Sequence, residues 1–176
     1  MLFVDYVRML RARKDVDWSR HLSPEDLEYL RARITPEAWY PMATFERMGL
    51  AILANTTHDV QAARFWGRAQ IDWLRSGNEN LVVPGDPLET LMRFQVVRRG
   101  FFDFSALDIP SLHDGEALVN VEYGMSARAE EAASWQTLGF FERLLEVAGA
   151  REVRARFSST SWTGDLVTTI ELSWQP

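Results

Sequence analysis

The chain has no cysteine, three histidines and one lysine among its 176 residues. Without thiols there is no disulfide, no Fe–S cluster, no thiolate zinc site and no cysteine nucleophile. The histidines, His21, His58 and His113, sit in separate capping or turn contexts, and none belongs to a close ligand pair of the HExxH kind. No metal site is therefore expected. Positive charge is in deficit too: 19 Lys and Arg against 25 Asp and Glu leave a net charge of −6. That balance argues against a general nucleic-acid binder, whose affinity comes from neutralising phosphates. Long apolar runs are also missing. The stretch Leu50-Ala51-Ile52-Leu53-Ala54 is far short of the roughly 20 residues of a membrane helix. At the start, Asp5 interrupts Met1-Leu2-Phe3-Val4, and Arg8, Arg11, Arg13 and Lys14 follow the apolar stretch, the reverse of a secretory signal. A cytoplasmic protein is expected.

Catalytic signatures are equally scarce. The chain has no Gly-x-Ser-x-Gly elbow, no Walker loop and no Gly-x-Gly-x-x-Gly fingerprint. Its carboxylate clusters are Glu25-Asp26, Glu130-Glu131 and Asp103 near Asp108. Adjacent carboxylates on a helix point in different directions, so Glu130-Glu131 reads as a solvated helix start favoured by the macrodipole. No catalytic residue and no cofactor are expected. The skew of 18 arginines to the single Lys14 fits a GC-rich genome, or forks chosen to pair carboxylate or phosphate.

What is present is a globule's composition, 47% hydrophobic and 25% charged, in a length that buries a sizeable core without clips. Residues 2–14 read as an amphipathic helix with Phe3, Tyr6, Val7 and Leu10 on one face. Ser23-Pro24-Glu25-Asp26 is a helix start, followed by Leu27, Leu30 and Ile34 facing inward. A further helix follows Pro41, with Met42, Phe45, Met48 and Ile52 in phase. Asn55-Thr56-Thr57 caps the next, about 58–75, whose stripe is Val60, Ala63, Gly67, Ile71 and Leu74; Gly67 there implies close packing of another element. Asp86-Pro87-Leu88-Glu89 opens a helix running to about Gly100. After residue 104 the period becomes two. His113-Asp114-Gly115-Glu116 signals a hairpin, a long helix spans about 127–148 and stops at Gly149, and a second hairpin closes the chain. In it, Val153, Ala155 and Phe157 alternate with Arg154 and Arg156, and Leu166, Thr168, Ile170, Leu172 and Trp174 share a face.

The expected fold class is therefore α+β: N-terminal helices packed with a small antiparallel sheet made of two hairpins that bracket a long helix. Residues 1–34 read as an N-terminal helical extension and 35–176 as one compact ligand-binding-like domain. Aromatic residues mark the candidate pocket or interface: Trp66 and Trp73, seven apart on one helix, with Phe94, Trp135, Phe140 and Phe141. They line either a large core, an oligomer interface or an apolar ligand pocket. Arg98, Arg99 and Arg128 are a weak anion-site candidate, and Arg98-Arg99 equally complements a helix C-terminus.

Several of these segments form a pattern. Trp39-Tyr40-Pro41, Phe65-Trp66-Gly67-Arg68-Ala69, Gly139-Phe140-Phe141-Glu142, Ala148-Gly149-Ala150-Arg151-Glu152-Val153 and Glu171-Leu172-Ser173-Trp174 resemble an uncharacterised family of paralogues abundant in myxobacteria, across most of residues 35–175. That family looks like the fold shared by haem nitric-oxide/oxygen sensor domains, vinyl-reductase-type regulatory domains and trafficking-complex subunits. The resemblance implies helices packed on a small antiparallel sheet, with the space between them used for haem, small apolar ligands or acyl chains. Haem sensors carry Tyr-x-Ser-x-Arg between the first hairpin and the long helix; here Tyr123-Gly124-Met125-Ser126-Ala127-Arg128 is one residue too long. They also place a proximal histidine on the helix before that hairpin, where this chain has none. Tyr123 and Ser126 read more simply as a strand end and an N-cap.

These readings lead to a non-enzymatic regulatory or sensory domain that binds a small apolar molecule or a protein partner. The alternatives are a constitutive dimerisation or protein-interaction module without ligand, and an enzyme of unrecognised type using acidic residues and His113.

Overall fold

The computed structural model describes residues 2–56 and 59–175. The chain packs as two compact units, Met1–Asp59 and Val60–Pro176. This division differs from a boundary at residue 34 because the helix after Pro41 packs on the first helix and so belongs with it.

The first unit holds α1 (Leu2–Ala12), a 3-10 turn at Trp18–Arg20, α2 (Pro24–Tyr29) and α3 (Met42–Ala54). Helix α1 buries Phe3, Tyr6, Val7 and Leu10, the spacing that lays one stripe inward. Tyr6 stacks on Phe45 of α3 with ring centroids 4.4 Å apart, and Phe3 stacks on Tyr40 at 4.1 Å. Helix α2 starts as its sequence dictates, with Pro24 in its first turn and a reciprocal capping box between Ser23 and Asp26. It ends after six residues, so the expected inward face of Leu27, Leu30 and Ile34 does not form. The buried residue is Asp26 instead, tied to Arg47 of α3.

The second unit holds α4 (Ala63–Gly77), α5 (Pro87–Val97), β1 (Leu107–His113), β2 (Glu116–Val121), α6 (Ala127–Val147), β3 (Arg151–Ser159) and β4 (Thr168–Gln175). The four strands form one antiparallel sheet in the order β1-β2-β4-β3, so the two hairpins join through β2 and β4. The chain is α+β, with two hairpins bracketing the long α6, as the change of period requires. Alternation puts Ala117, Val119, Val121, Ile170, Leu172 and Trp174 on the buried face, against which α6 sets Leu138, Phe141 and Leu145. Leu166 departs from the pattern: it lies in the turn before β4 and is 98% exposed.

Helix α4 lies along the other side of α6. A Cβ on Gly67 would fall on the carbonyl oxygen of Gln136, and one on Gly139 would fall on the carbonyl oxygen of Arg64. The two glycines thus let the helix backbones touch. Gly149, with φ +100°, turns the chain from α6 into β3, the left-handed stop that an L side chain resists.

Candidate functional site

Three of the six aromatic candidates meet in the interior between α5, α6 and the first hairpin. Phe94 is the last residue on the buried stripe of α5, after Thr90 and Leu91. Its ring meets Phe140 and Phe141 of α6, each at 5.1 Å between centroids, and Phe101 at 6.1 Å. Phe94 is 1% exposed and Phe141 is 0% exposed, so these rings fill the space they line. Trp135 stands apart from this cluster. It packs edge-on against Phe157 of β3, which in turn packs edge-on against Trp162. Trp66 is half-buried on α4, and Trp73 is exposed on the same helix. The six candidates therefore form three groups: a phenylalanine core, a tryptophan corner at the second hairpin, and an outward pair on α4.

The arginines do not converge. Arg98 clasps the start of β1, donating to the carbonyl of Leu107 and, at 3.1 Å, to the carboxylate of Asp108. Arg99 and Arg128 are exposed, Arg128 in the first turn of α6. Among the histidines, His21 follows the 3-10 turn of the first unit, His113 is exposed at the end of β1, and His58 lies outside the described residues. No group of three metal-ligating side chains occurs among the described residues.

Glu130 corrects the expectation of a solvated helix start. It is 5% exposed, and its carboxylate accepts the backbone N–H of Tyr123 at 2.8 Å and of Met125 at 3.0 Å. Its neighbour Glu131 does not share this burial. The Tyr123 hydroxyl, itself buried, lies 2.5 Å from the Thr137 hydroxyl, and burial pushes the phenol's pKa well above its ordinary value. The segment between β2 and α6 is thus closed on itself by an acid. Nothing in the sequence singled out Glu130 over Glu131; only the helix phase relative to the incoming loop does.

A second set of buried charges ties α4 to α6. Glu142, 4% exposed, accepts from Arg64 Nε at 2.7 Å and from Arg68 at 3.4 Å. Arg68 also grips Glu146 at 2.8 Å. These carboxylates are matched by guanidinium forks, and the arrangement offers no free acid or base in a cleft.

The interior between α5, α6 and the first hairpin offers haem no histidine from α5. An axial ligand is required, yet α5 and the turn that follows it contain no histidine, and α5 directs Phe94 into the space. At the β2–α6 segment Arg128 is an exposed cation in the first turn of α6, while the buried group is the Glu130 carboxylate, which accepts from the loop backbone. The residues present do not fit the group.

No protein-family profile and no curated protein sequence matches the chain. Solved structures do. An H-NOX protein examined for haem distortion aligns with a TM-score of 0.66 at 13% identity, over 99% of this chain and 94% of that one. A mutant H-NOX of T. tengcongensis aligns with a TM-score of 0.63 at 13% identity, over 98% and 94%. An oxygen-binding H-NOX domain related to soluble guanylate cyclases, solved as its oxygen complex, aligns with a TM-score of 0.61 at 12% identity, over 97% and 92%. At such identities the likeness is one of fold: helices and a four-stranded antiparallel sheet arranged as in H-NOX domains.

Proposed function

We propose that this chain is a non-enzymatic regulatory module that uses the H-NOX type of fold without haem. The observation that carries this reading is Phe94, buried at the inner face of α5 against Phe140 and Phe141. The fold supports a sensory or regulatory role, and the ring cluster supports an apolar signal molecule over a metalloporphyrin, since such walls suit small apolar ligands. The rings are packed on one another, so such a molecule would enter by displacing α5 from α6, and that displacement would be the signal.

Native mass spectrometry with absorption spectroscopy, on protein expressed with a haem supply, tests the reading. The expected result is a mass without haem and no histidine-ligated Soret band. A carried molecule of another mass would name the ligand. Stoichiometric haem with a histidine-ligated spectrum would overturn the reading.

A second reading, a constitutive interaction module, is favoured by the outer face of α4. Phe65 is 72% exposed and Trp73 is 53% exposed, and their spacing of two helical turns puts them on one side.

A further inference from the structure

The face of the sheet opposite α6 is a shallow groove of about 690 Å³ built from all four strands. Register is irregular in both edge strands: between Asp108 and Ser111 in β1, and between Arg151 and Arg154 and again between Phe157 and Ser159 in β3. Such irregularities bend a strand and sharpen its twist. Register places the outward side chains in two rows across the three strands β2, β4 and β3. One row runs Glu116, Ser173, Arg154; the next runs Leu118, Glu171, Arg156.

The rows differ in how their charges are used. Arg156 pairs with Glu171, its cross-strand partner. Arg154 and Glu116, both exposed to solvent, have no ion-pair or hydrogen-bond partner among the described residues. They stand two strands apart, about 10 Å between backbones at the usual strand spacing, with the Ser173 hydroxyl between them and Leu118 beside them. One free cation and one free anion therefore face each other across a hydroxyl, next to an apolar side chain.

We propose that this groove binds a small zwitterion, of amino-acid to dipeptide size. The carboxylate of the ligand takes the Arg154 fork, which suits planar bidentate pairing. Its ammonium takes Glu116, Ser173 hydrogen-bonds between them, and Leu118 covers the aliphatic part. With Arg156 and Glu171 already paired, the groove carries no net charge, so a polyanion or a simple amine meets only one of its two open groups. Only a ligand carrying both signs satisfies both free groups. The site lies on the opposite face of the sheet from the phenylalanine core, and the proposal does not rest on the haem-free reading.

Titration of the full chain with the twenty α-amino acids and a set of dipeptides, followed by amide shifts of Leu118, Glu171 and Ser173, tests the proposal. Acetate, inorganic phosphate and methylammonium serve as controls of one charge sign. The expected result is a zwitterion that binds at least about tenfold more tightly than any control, as two charge-assisted contacts require. Arg154→Gln and Glu116→Gln should each weaken it about tenfold without moving the melting temperature, because neither side chain has a partner to lose. The proposal is overturned if no zwitterion shifts these amides at millimolar concentration. It is equally overturned if acetate or phosphate binds as tightly as the zwitterions with Glu116→Gln neutral, which would make the groove an anion site.

Discussion

Asp26 is fully buried, yet its carboxylate stays ionised because Arg47 meets it with both arms of its fork, at 2.6 and 2.7 Å. The pairing holds its pKa down at about 2, with the Ser23 capping bonds adding to the effect against the opposing cost of burial. A depressed carboxylate contributes stability that is present above its unfolded pKa and is lost as pH falls through the folded value. The first unit should therefore lose about 2 kcal/mol between roughly pH 4 and pH 2. Asp26→Asn should lose a similar amount at pH 7 and show a flatter profile over that window. Melting temperatures of both proteins at pH 7, 4 and 2.5 check this, and equal acid sensitivity of the two would refute it. Glu130 is another buried carboxylate, held by backbone donors and not by a guanidinium. A carboxylate buried beside two backbone N–H donors fixes a loop, and its role follows from who faces it and not from its residue type.

At the scale of elements, the crossing of α4 and α6 is set by what is missing from two side chains. Gly67 and Gly139 each sit against the backbone of the partner helix, and the Arg64, Arg68, Glu142 and Glu146 pairs extend that contact. Gly67→Ala would gain about 1 kcal/mol of helix propensity. The new methyl meets a backbone carbonyl that cannot rotate away, so the helices must separate, and the expected net loss is about 3 kcal/mol. Urea unfolding followed by tryptophan fluorescence measures it; a midpoint at or above that of the parent chain would show that the helices do not touch there. The edge strand β3 illustrates another constraint. Its two irregular registers and its outward Arg154 and Arg156 keep it from pairing with a stray strand, while leaving its face open.

For the whole molecule, the question is whether the exposed aromatics of α4 meet a second copy. Under the interaction reading, the mass from light scattering rises with concentration, and the double change Phe65→Ser and Trp73→Ser returns it to one chain. A single-chain mass at all concentrations removes that reading. Much of the architecture was legible beforehand: the Ser23 and Asp86 caps, the α4 stripe through Gly67, the Asp114-Gly115 turn, the Gly149 stop and the alternation of β4 all stand in the structure. These are local signals, carried by residues a few positions apart. The candidate site was legible only in part. Phe94, Phe140 and Phe141 do meet, but Trp135 and the α4 tryptophans go elsewhere, because which side of a helix meets which neighbour is not written in its period.

The amino-acid sequence by itself determined the fold class, the absence of thiol chemistry and the want of a histidine on α5, since composition and periodicity are properties of the chain alone. Tertiary structure decided the strand order β1-β2-β4-β3, the burial of Asp26 and Glu130, and the pairing of charges across α4 and α6. It also left Arg154 and Glu116 facing one another in an open groove. Each of these depends on segments tens of residues apart arriving at one place. For the buried carboxylates, desolvation makes an unmatched charge costly, so the neighbour brought by the fold settles what the residue does.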